Sequence, residues 1–343
     1  MITIHEIHTQ YDSLKNTQKA VDSQMAAISA LVSGASRLVF TGCGSSYTLA
    51  KSGALMAQLR LDKPAIALPT GDMLLHLETY RPLLEGAVLI TLTRSGETSE
   101  VVRTVEDMRK QGISFTLLTV TCVCDSTLSR MSDLAVELPW AFDESVCQTR
   151  TVTTLYFFCA YAIAKLCGDA ALRADLIKTI EQGDGYMARI EPTIQAAAAL
   201  PWTHAVVLGD AELSGLCDEG ALTFKEICQL PSNYYHLLDV RHGPMVLIGK
   251  ETLVIAVLSD RANKLELDLV RDLLRNGATV IAYSDLPLEM PGVISISFGE
   301  ALQTPARGIP AIAVCQLISY YKSFATGANP DQPDGLSPWI ALS

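Results

Sequence analysis

Along this chain the apolar residues gather in short, almost unbroken runs, separated by longer stretches where charged and apolar positions mix. Leu38-Val39-Phe40 leads into Thr41-Gly42, Val88-Leu89-Ile90-Thr91-Leu92 leads into Thr93, and another run covers 115–120. A second set follows at 206–208, 254–258 and 279–283. Runs that are apolar at successive positions predict strands buried on both faces of a parallel sheet. The stretches between them carry helical spacing, and two of these end near Gly112 and Gly277. The order is β-α-β-α, which builds doubly wound α/β layers.

The two sets are one pattern used twice. Gly42 and Gly53-Ala54-Leu55 return as Gly209 and Gly220-Ala221-Leu222, with both glycines offset by 167 residues. Val88-Leu89-Ile90-Thr91-Leu92-Thr93 returns as Val254-Ile255-Ala256-Val257-Leu258-Ser259. The repeat predicts two tandem α/β subdomains, each a doubly wound parallel sheet, over 33–165 and 201–326. A helix over 1–32 precedes them, a helical linker over 166–200 joins them, and a proline-rich irregular tail occupies 327–343. A length of 343 residues suits two domains.

Composition narrows the classes. The chain is 49% hydrophobic and 18% charged, enough apolar side chain for a large core and too much for a disordered chain. The net charge of −11 opposes general nucleic-acid binding, whose footprint is basic, although one local site can still hold a small anion. Nine cysteines are present and no pair has CxxC spacing, so reduced, buried thiols are expected, with neither disulfides nor a zinc site. The N-terminus shows no basic start followed by an apolar core, and the longest apolar run, 155–164, is about half a bilayer span. A soluble, cytoplasmic protein without membrane contact is expected.

Ligands of open α/β sheets bind at the carboxyl ends of strands. Two loops there are distinctive. In Thr41-Gly42-Cys43-Gly44-Ser45-Ser46, Tyr47 stands where a dinucleotide fingerprint has its third glycine. The close approach of a pyrophosphate is therefore disfavoured, whereas a single phosphate needs only a tight turn, hydroxyls and a helix N-terminus. In Thr93-Arg94-Ser95-Gly96-Glu97-Thr98, the hydroxyls of Thr93, Ser95 and Thr98 can converge on one anion, assisted by a helix starting near Glu97. Alone, this loop also reads as a Ser/Thr-rich helix cap. Its pairing with the first loop on the neighbouring strand favours the anion site.

Thr93-Arg94-Ser95-Gly96-Glu97-Thr98 closely resembles the Ser-x-Ser-Gly-Glu-Thr phosphate loop of sugar isomerase (SIS) domains. Asp218-Glu219-Gly220-Ala221-Leu222-Thr223-Phe224-Lys225-Glu226, Arg241-His242-Gly243-Pro244 and Asn329-Pro330-Asp331-Gln332-Pro333 resemble further SIS motifs in the same order. The resemblance covers nearly the whole chain and is strongest to the isomerase half of glucosamine-6-phosphate synthases and to SIS-type hexosamine-phosphate deaminase/isomerases. It implies flavodoxin-like SIS subdomains. It implies a sugar 6-phosphate on Ser46, Thr93, Ser95 and Thr98, with Gly44 and Ser45 beside it. It makes Glu226 the base that moves a proton between C1 and C2 and His242 the group that opens the ring. Because the His242 loop reaches a neighbouring subunit in the family, it implies a homodimer with shared sites. By the same resemblance, Gln148, Thr149 and Arg150 contact the sugar, while Glu219 orients substrate or pairs with a cation. No metal and no cofactor are needed, since isomerisation is proton transfer.

Departures from the synthases point towards breakdown. No glutaminase-like segment precedes the first repeat, Thr223 stands where the synthases carry a lysine, and the residues from Ser323 onward include no lysine. The expected reaction is ring opening of an amino-sugar 6-phosphate, C1–C2 proton transfer and release of ammonia to a ketose 6-phosphate. The alternatives are a fructosamine-6-phosphate deglycase, a plain aldose–ketose phosphate isomerase and a non-catalytic phosphosugar sensor.

Overall fold

The structure, a computed structural model, describes residues 1–260, 262–339 and 342. Helices α1 (Ile2–His8) and α2 (Gln10–Gly34) open the chain. The first repeat runs β1 (Leu38–Gly42), α3 (Ser45–Arg60), β2 (Ala65–Pro69), α4 (Thr70–Leu75), α5 (Leu77–Leu84), β3 (Ala87–Thr93), α6 (Ser99–Lys110), β4 (Phe115–Thr121), α7 (Thr127–Met131), β5 (Leu134–Glu137) and α8 (Arg150–Leu166). After α9 (Ala170–Ala198) the second repeat runs β6 (His204–Leu208), α10 (Ser214–Ile227), β7 (Ser232–Tyr235), β8 (Thr252–Val257), α11 (Lys264–Arg275), β9 (Thr279–Ser284), β10 (Val293–Ser297) and α12 (Thr304–Thr326). The chain divides into two compact units. One holds Thr9–Ala174 and the C-terminal segment from Ser337; the other holds Met1–His8 and Asp175–Leu336.

Each unit has one parallel sheet of five strands, ordered β2-β1-β3-β4-β5 in the first and β7-β6-β8-β9-β10 in the second. Counted within its own repeat, each order is 2-1-3-4-5, the doubly wound α/β order expected from the sequence. In this topology the chain reverses its direction of growth between the first and third strands, which opens a crevice at their carboxyl ends. In the first unit that crevice lies between the ends of β1 and β3, where Thr41 is in register with Thr91.

The inner strands are apolar throughout because both faces are covered. In the first sheet, Val39, Leu89 and Leu117 pack on Val101, Val105 and Met108 of α6. Leu38, Phe40, Ile90 and Leu118 face Phe158 and Ile163 of α8. In the second, Val206, Val254 and Val280 pack on Leu269, Val270 and Leu273 of α11. Each such aliphatic side chain, fully buried, contributes about 1.5–3 kcal/mol.

The single helix expected over 1–32 is instead two helices broken at Thr9, and α1 belongs to the second unit. The start of α1 is held by a cap supplied from far along the chain. The Asp331 carboxylate accepts hydrogen bonds from the Ile2 and Thr3 amides at 3.0 and 2.8 Å and from the Thr3 hydroxyl at 2.8 Å. Burial alone would raise the Asp331 pKa, but these hydrogen bonds hold it below its ordinary value. Four strands, β2, β5, β7 and β10, were not expected from the pattern, and all four are sheet edges.

All nine cysteines are free, and only Cys124 and Cys167 are exposed. Burial pushes the Cys122, Cys159, Cys228 and Cys315 thiols up to about 12. Since the thiolate is the reactive form, native protein at pH 7.5 is expected to take up two equivalents of iodoacetamide before the other thiols react, at the exposed Cys124 and Cys167, with uptake at Cys124 slowed because burial and Glu137 push its thiol up. All nine thiols should react in urea. Mass spectrometry of the labelled peptides checks this.

Candidate functional site

The crevice of the first sheet is built by two tight strand-to-helix turns. At the end of β1, a Cβ on Gly42 would lie 2.6 Å from the Ser46 Cβ and 3.0 Å from the Leu92 carbonyl oxygen. Only glycine therefore lets α3 begin this close to β3. Gly44, at φ +53°, completes the turn and stands at the N-cap of α3 without any side-chain cap. At the end of β3, Gly96 has φ +68°, and a Cβ there would lie 2.1 Å from Ser126 Oγ. The Gly96 and Glu97 amides donate to the Thr93 and Ser95 hydroxyl oxygens at 3.0 and 3.1 Å. Those oxygens accept, so each hydroxyl proton remains available for another acceptor. The Glu97 carboxylate braces the outer side of the loop, accepting from the Thr127 amide and hydroxyl, both at 2.7 Å.

Helix α6 begins at Ser99 rather than near Glu97. Its N-cap Thr98 makes no side-chain cap hydrogen bond. Two helix N-termini and a set of hydroxyls thus meet at one crevice, an arrangement that favours an anion with several acceptor oxygens. Ser45, Ser46, Thr93 and Ser95 are all buried. The thiol of Cys43, within the first turn, is pushed up to about 11 by burial and by Glu100. It stays neutral near pH 7 and opposes no anion.

The second unit shows the contrast. At the corresponding place, Glu266 of α11 accepts from the Ser259 amide at 3.0 Å, the Ser259 hydroxyl at 2.7 Å and the Asn263 amide at 2.9 Å. Asn263 in turn caps α11 in a capping box. The second repeat fills its own anion position with a carboxylate. In the first repeat, no side chain caps α6.

The loop 143–149, which carries the expected sugar contacts Gln148 and Thr149, lies in the first unit. Asp143, 1% exposed, accepts the Thr149 and Thr151 amides at 2.7 and 2.9 Å and so satisfies the start of α8. The buried Gln148 Oε1 has no hydrogen-bond partner among the described residues. Arg150 is occupied: Nη1 donates to Thr9 Oγ1 at 3.1 Å, Nη2 to the Phe142 carbonyl at 2.5 Å, and Nε lies 3.6 Å from Asp143. Arg94 donates to the Ser145 and Val146 carbonyls at 2.9 and 3.0 Å, which ties this loop to the turn after β3.

Glu219, Glu226 and His242 belong to the second unit. Glu219 and Glu226 lie seven residues apart on α10 and therefore project from one face. Glu219 is buried and Glu226 half-buried. His242 is exposed, just beyond a short 3₁₀ turn that Arg241 fastens to Asp272 at 2.5 Å. Gly243 follows at φ +124°. Asp210 holds the start of this loop, accepting from the Leu237 amide at 3.2 Å and hydrogen-bonding His236 Nδ1 at 2.8 Å. Among the described residues, no group of three or more His, Cys, Asp or Glu side chains can hold a metal ion, and no helix is long and apolar enough to cross a membrane.

The profile of the SIS domain family matches residues 30–165 and 201–289, one segment in each repeat. The chain belongs to the SIS domain family. Over 99% of its length, this SIS protein is 27% identical to an isomerizing glutamine–fructose-6-phosphate aminotransferase of Pyrobaculum aerophilum, covering 57% of that protein. It is 25% identical over 98% of its length to the Yersinia pseudotuberculosis aminotransferase, covering 58% of it. The chain thus spans somewhat over half the length of the curated relatives it matches. Among solved structures, glucosamine-6-phosphate deaminase from Thermotoga maritima is similar with a TM-score of 0.82 and 24% identity, covering 100% of both chains. Tagatose-6-phosphate ketose/aldose isomerase from Escherichia coli has a TM-score of 0.84 and 24% identity, covering 99% of this chain and 98% of its own. These likenesses establish the fold of the SIS protein.

The fold collects Gly44, Ser45, Ser46, Thr93, Ser95 and Thr98 at one crevice, and Arg94 joins the loop of Gln148, Thr149 and Arg150 to the same unit. Asp143 and the brace formed by Glu97 had no foreseeable role in the sequence. Asp143 lies six residues before the amide it caps at Thr149, beyond the reach of local capping rules.

Proposed function

We propose that this SIS protein acts on an amino-sugar 6-phosphate, opening its ring, moving a proton from C2 to C1 and releasing ammonia to leave a ketose 6-phosphate. The carrying observation is the crevice between the adjacent strands β1 and β3, onto which open two helices without side-chain caps and the turns that carry Ser46 and Thr93, Ser95 and Thr98. In this reading they hold the 6-phosphate, with Gly44 and Ser45 shaping the turn. Gln148 and Thr149 meet the sugar, the buried Gln148 oxygen being an acceptor for one of its hydroxyls. The Arg150 side chain, already occupied, shapes that loop instead.

His242 exchanges protons between the ring oxygen and O1. Glu226 removes the C2 proton from the open-chain aldehyde, giving an enolamine, and returns a proton to C1. The product is a C2 imine, and water adds to it to expel ammonia and leave the C2 ketone. Glu219, on the same face of α10, orients the substrate. Amino-sugar chemistry is supported by the names of the relatives, which include a glucosamine-6-phosphate deaminase matching the chain end to end. Turnover of glucosamine 6-phosphate in ²H₂O, followed by NMR, tests the proton transfer. Solvent deuterium is expected at C1 of the ketose product. Complete retention of the substrate's C2 hydrogen at C1 would mean a hydride shift and overturn the role of Glu226.

Ser95→Ala is expected to weaken phosphosugar binding by about 1.5–3 kcal/mol, the loss of one hydrogen bond to a charged group. Calorimetric titration against the unmodified protein reads it. The proposed partner is a second copy of the chain. Val246 and Leu247 beside the His242 loop are 86% and 72% exposed, an apolar pair suited to cover. Sedimentation is expected to give twice the chain mass, and a Val246→Glu/Leu247→Glu double variant the monomer mass.

A further inference from the structure

We propose that Arg94 is a positioning residue: its one guanidinium fastens both the sugar-side loop and the C-terminal segment to the phosphate loop, so that phosphate binding and docking of that segment strengthen each other. Arg94 lies inside the loop between Thr93 and Ser95 and is 4% exposed. Its carbonyl accepts the Cys122 amide at 3.1 Å, which pins its backbone to the end of β4. Among the described residues its side chain makes three hydrogen bonds, all to backbone carbonyls. Nη1 serves Ser145 and Val146 at 2.9 and 3.0 Å, and Nη2 serves Pro338 at 2.5 Å. The planar fork of arginine suits this, since its donors diverge at fixed angles that an ammonium does not reproduce.

Leu342 lies against α6. The Leu342 amide donates to Ser99 Oγ at 3.1 Å, and the Leu342 carbonyl accepts from Arg103 at 2.9 Å. Both contacts lie in the first turns of the helix whose N-cap is Thr98. The segment is therefore fastened at both edges of the proposed phosphate position, by Arg94 before it and by Ser99 and Arg103 after it.

The charge completes the argument. Arg94 Nε is buried without a hydrogen-bond partner, and among the described residues the guanidinium meets carbonyl dipoles rather than a carboxylate. A buried cation so placed gains when a dianion arrives in the adjoining hydroxyl loop. Whatever strengthens the phosphate complex then strengthens the Arg94 cluster, and the converse follows by linkage. The linkage rests on the phosphosugar reading above; the fastening does not.

Amide hydrogen exchange on the full-length protein separates the two. Without ligand, Arg94→Met is expected to speed exchange of the hydrogen-bonded Thr149 and Leu342 amides, one in each segment, at least tenfold. The amides of β1, β3 and β4 should not change. Arg103→Ala should speed Leu342 alone. Unchanged exchange in both segments of Arg94→Met would overturn the fastening. If Arg94→Met exchanges faster everywhere, Arg94→Lys decides: it keeps the charge but not the fork, and both segments should still loosen selectively.

The second arm uses inorganic phosphate as the probe. Truncation after Leu336 and Arg94→Met should each raise its Kd, and the double variant should be no weaker than Arg94→Met alone. Effects that multiply would overturn the linkage. Failure of the unmodified protein to bind phosphate would instead overturn the phosphosugar reading and leave the ligand-free exchange result standing.

Discussion

Glu226→Gln is expected to lower turnover of a hexosamine 6-phosphate by about 10²–10⁴-fold, the usual worth of a positioned general base. Glutamine keeps the size and shape of the side chain but cannot take a proton from carbon. Ground-state binding should survive, because in the proposed reading the phosphate is held by hydroxyls and amides of the turns after β1 and β3 and not by Glu226, and the Kd should stay within about threefold. The expectation rests on a half-buried carboxylate on α10, on the same face as the buried Glu219. Steady-state kinetics and calorimetric titration of one preparation read both quantities. Turnover close to that of the unmodified enzyme would place the base elsewhere. Loss of binding together with turnover would mean that Glu226 holds the substrate rather than transforming it.

Asp285→Ala is expected to destabilise the second unit by about 3–5 kcal/mol, the cost of leaving a buried charge without its partner. Asp285 and Arg307 are each 1% exposed, and Arg307 Nε donates to Asp285 at 2.6 Å. Arg307 also donates to the Leu258 carbonyl at 2.5 Å, and Asp285 accepts the Leu302 amide at 3.1 Å. One pair thus joins the ends of β8 and β9 to the start of α12. An Asp285→Ala/Arg307→Met double variant should be less destabilised than Asp285→Ala, since it removes both charges. Urea unfolding followed by tryptophan fluorescence measures it: Trp202 reports on the second unit and Trp140 on the first. Additive losses would show that the pair is not coupled.

The inner strands β1, β3, β4, β6, β8 and β9 were legible because burial on both faces demands continuous apolar runs. The edge strands were not. Ser232-Asn233-Tyr234-Tyr235 and Val293-Ile294-Ser295-Ile296-Ser297 are only partly buried and carry polar residues that a central strand excludes. The cap on α1 was invisible because Asp331, which supplies it, lies more than three hundred residues away.

In the site, hydroxyl-rich turns after apolar strands announced an anion crevice, and the strand order puts them on either side of one switch point. Glu226 and His242 had no such signature; a lone carboxylate on a helix and a lone histidine in a loop carry no spacing. They entered only through resemblance to SIS motifs. Arg94 stands at the variable position of the Ser-x-Ser-Gly-Glu-Thr motif, where sequence alone assigns its side chain no contact. Its partners at 145, 146 and 338 show what that side chain holds.

Ammonia release from glucosamine, galactosamine and fructosamine 6-phosphates, without glutamine, tests the central claim most directly. Ammonia and an equimolar ketose 6-phosphate are expected from at least one free hexosamine 6-phosphate, with release by Glu226→Gln slower by about 10²–10⁴-fold. Tight binding of these sugars with no product from any of them would contradict it and make the crevice the binding site of a sensor.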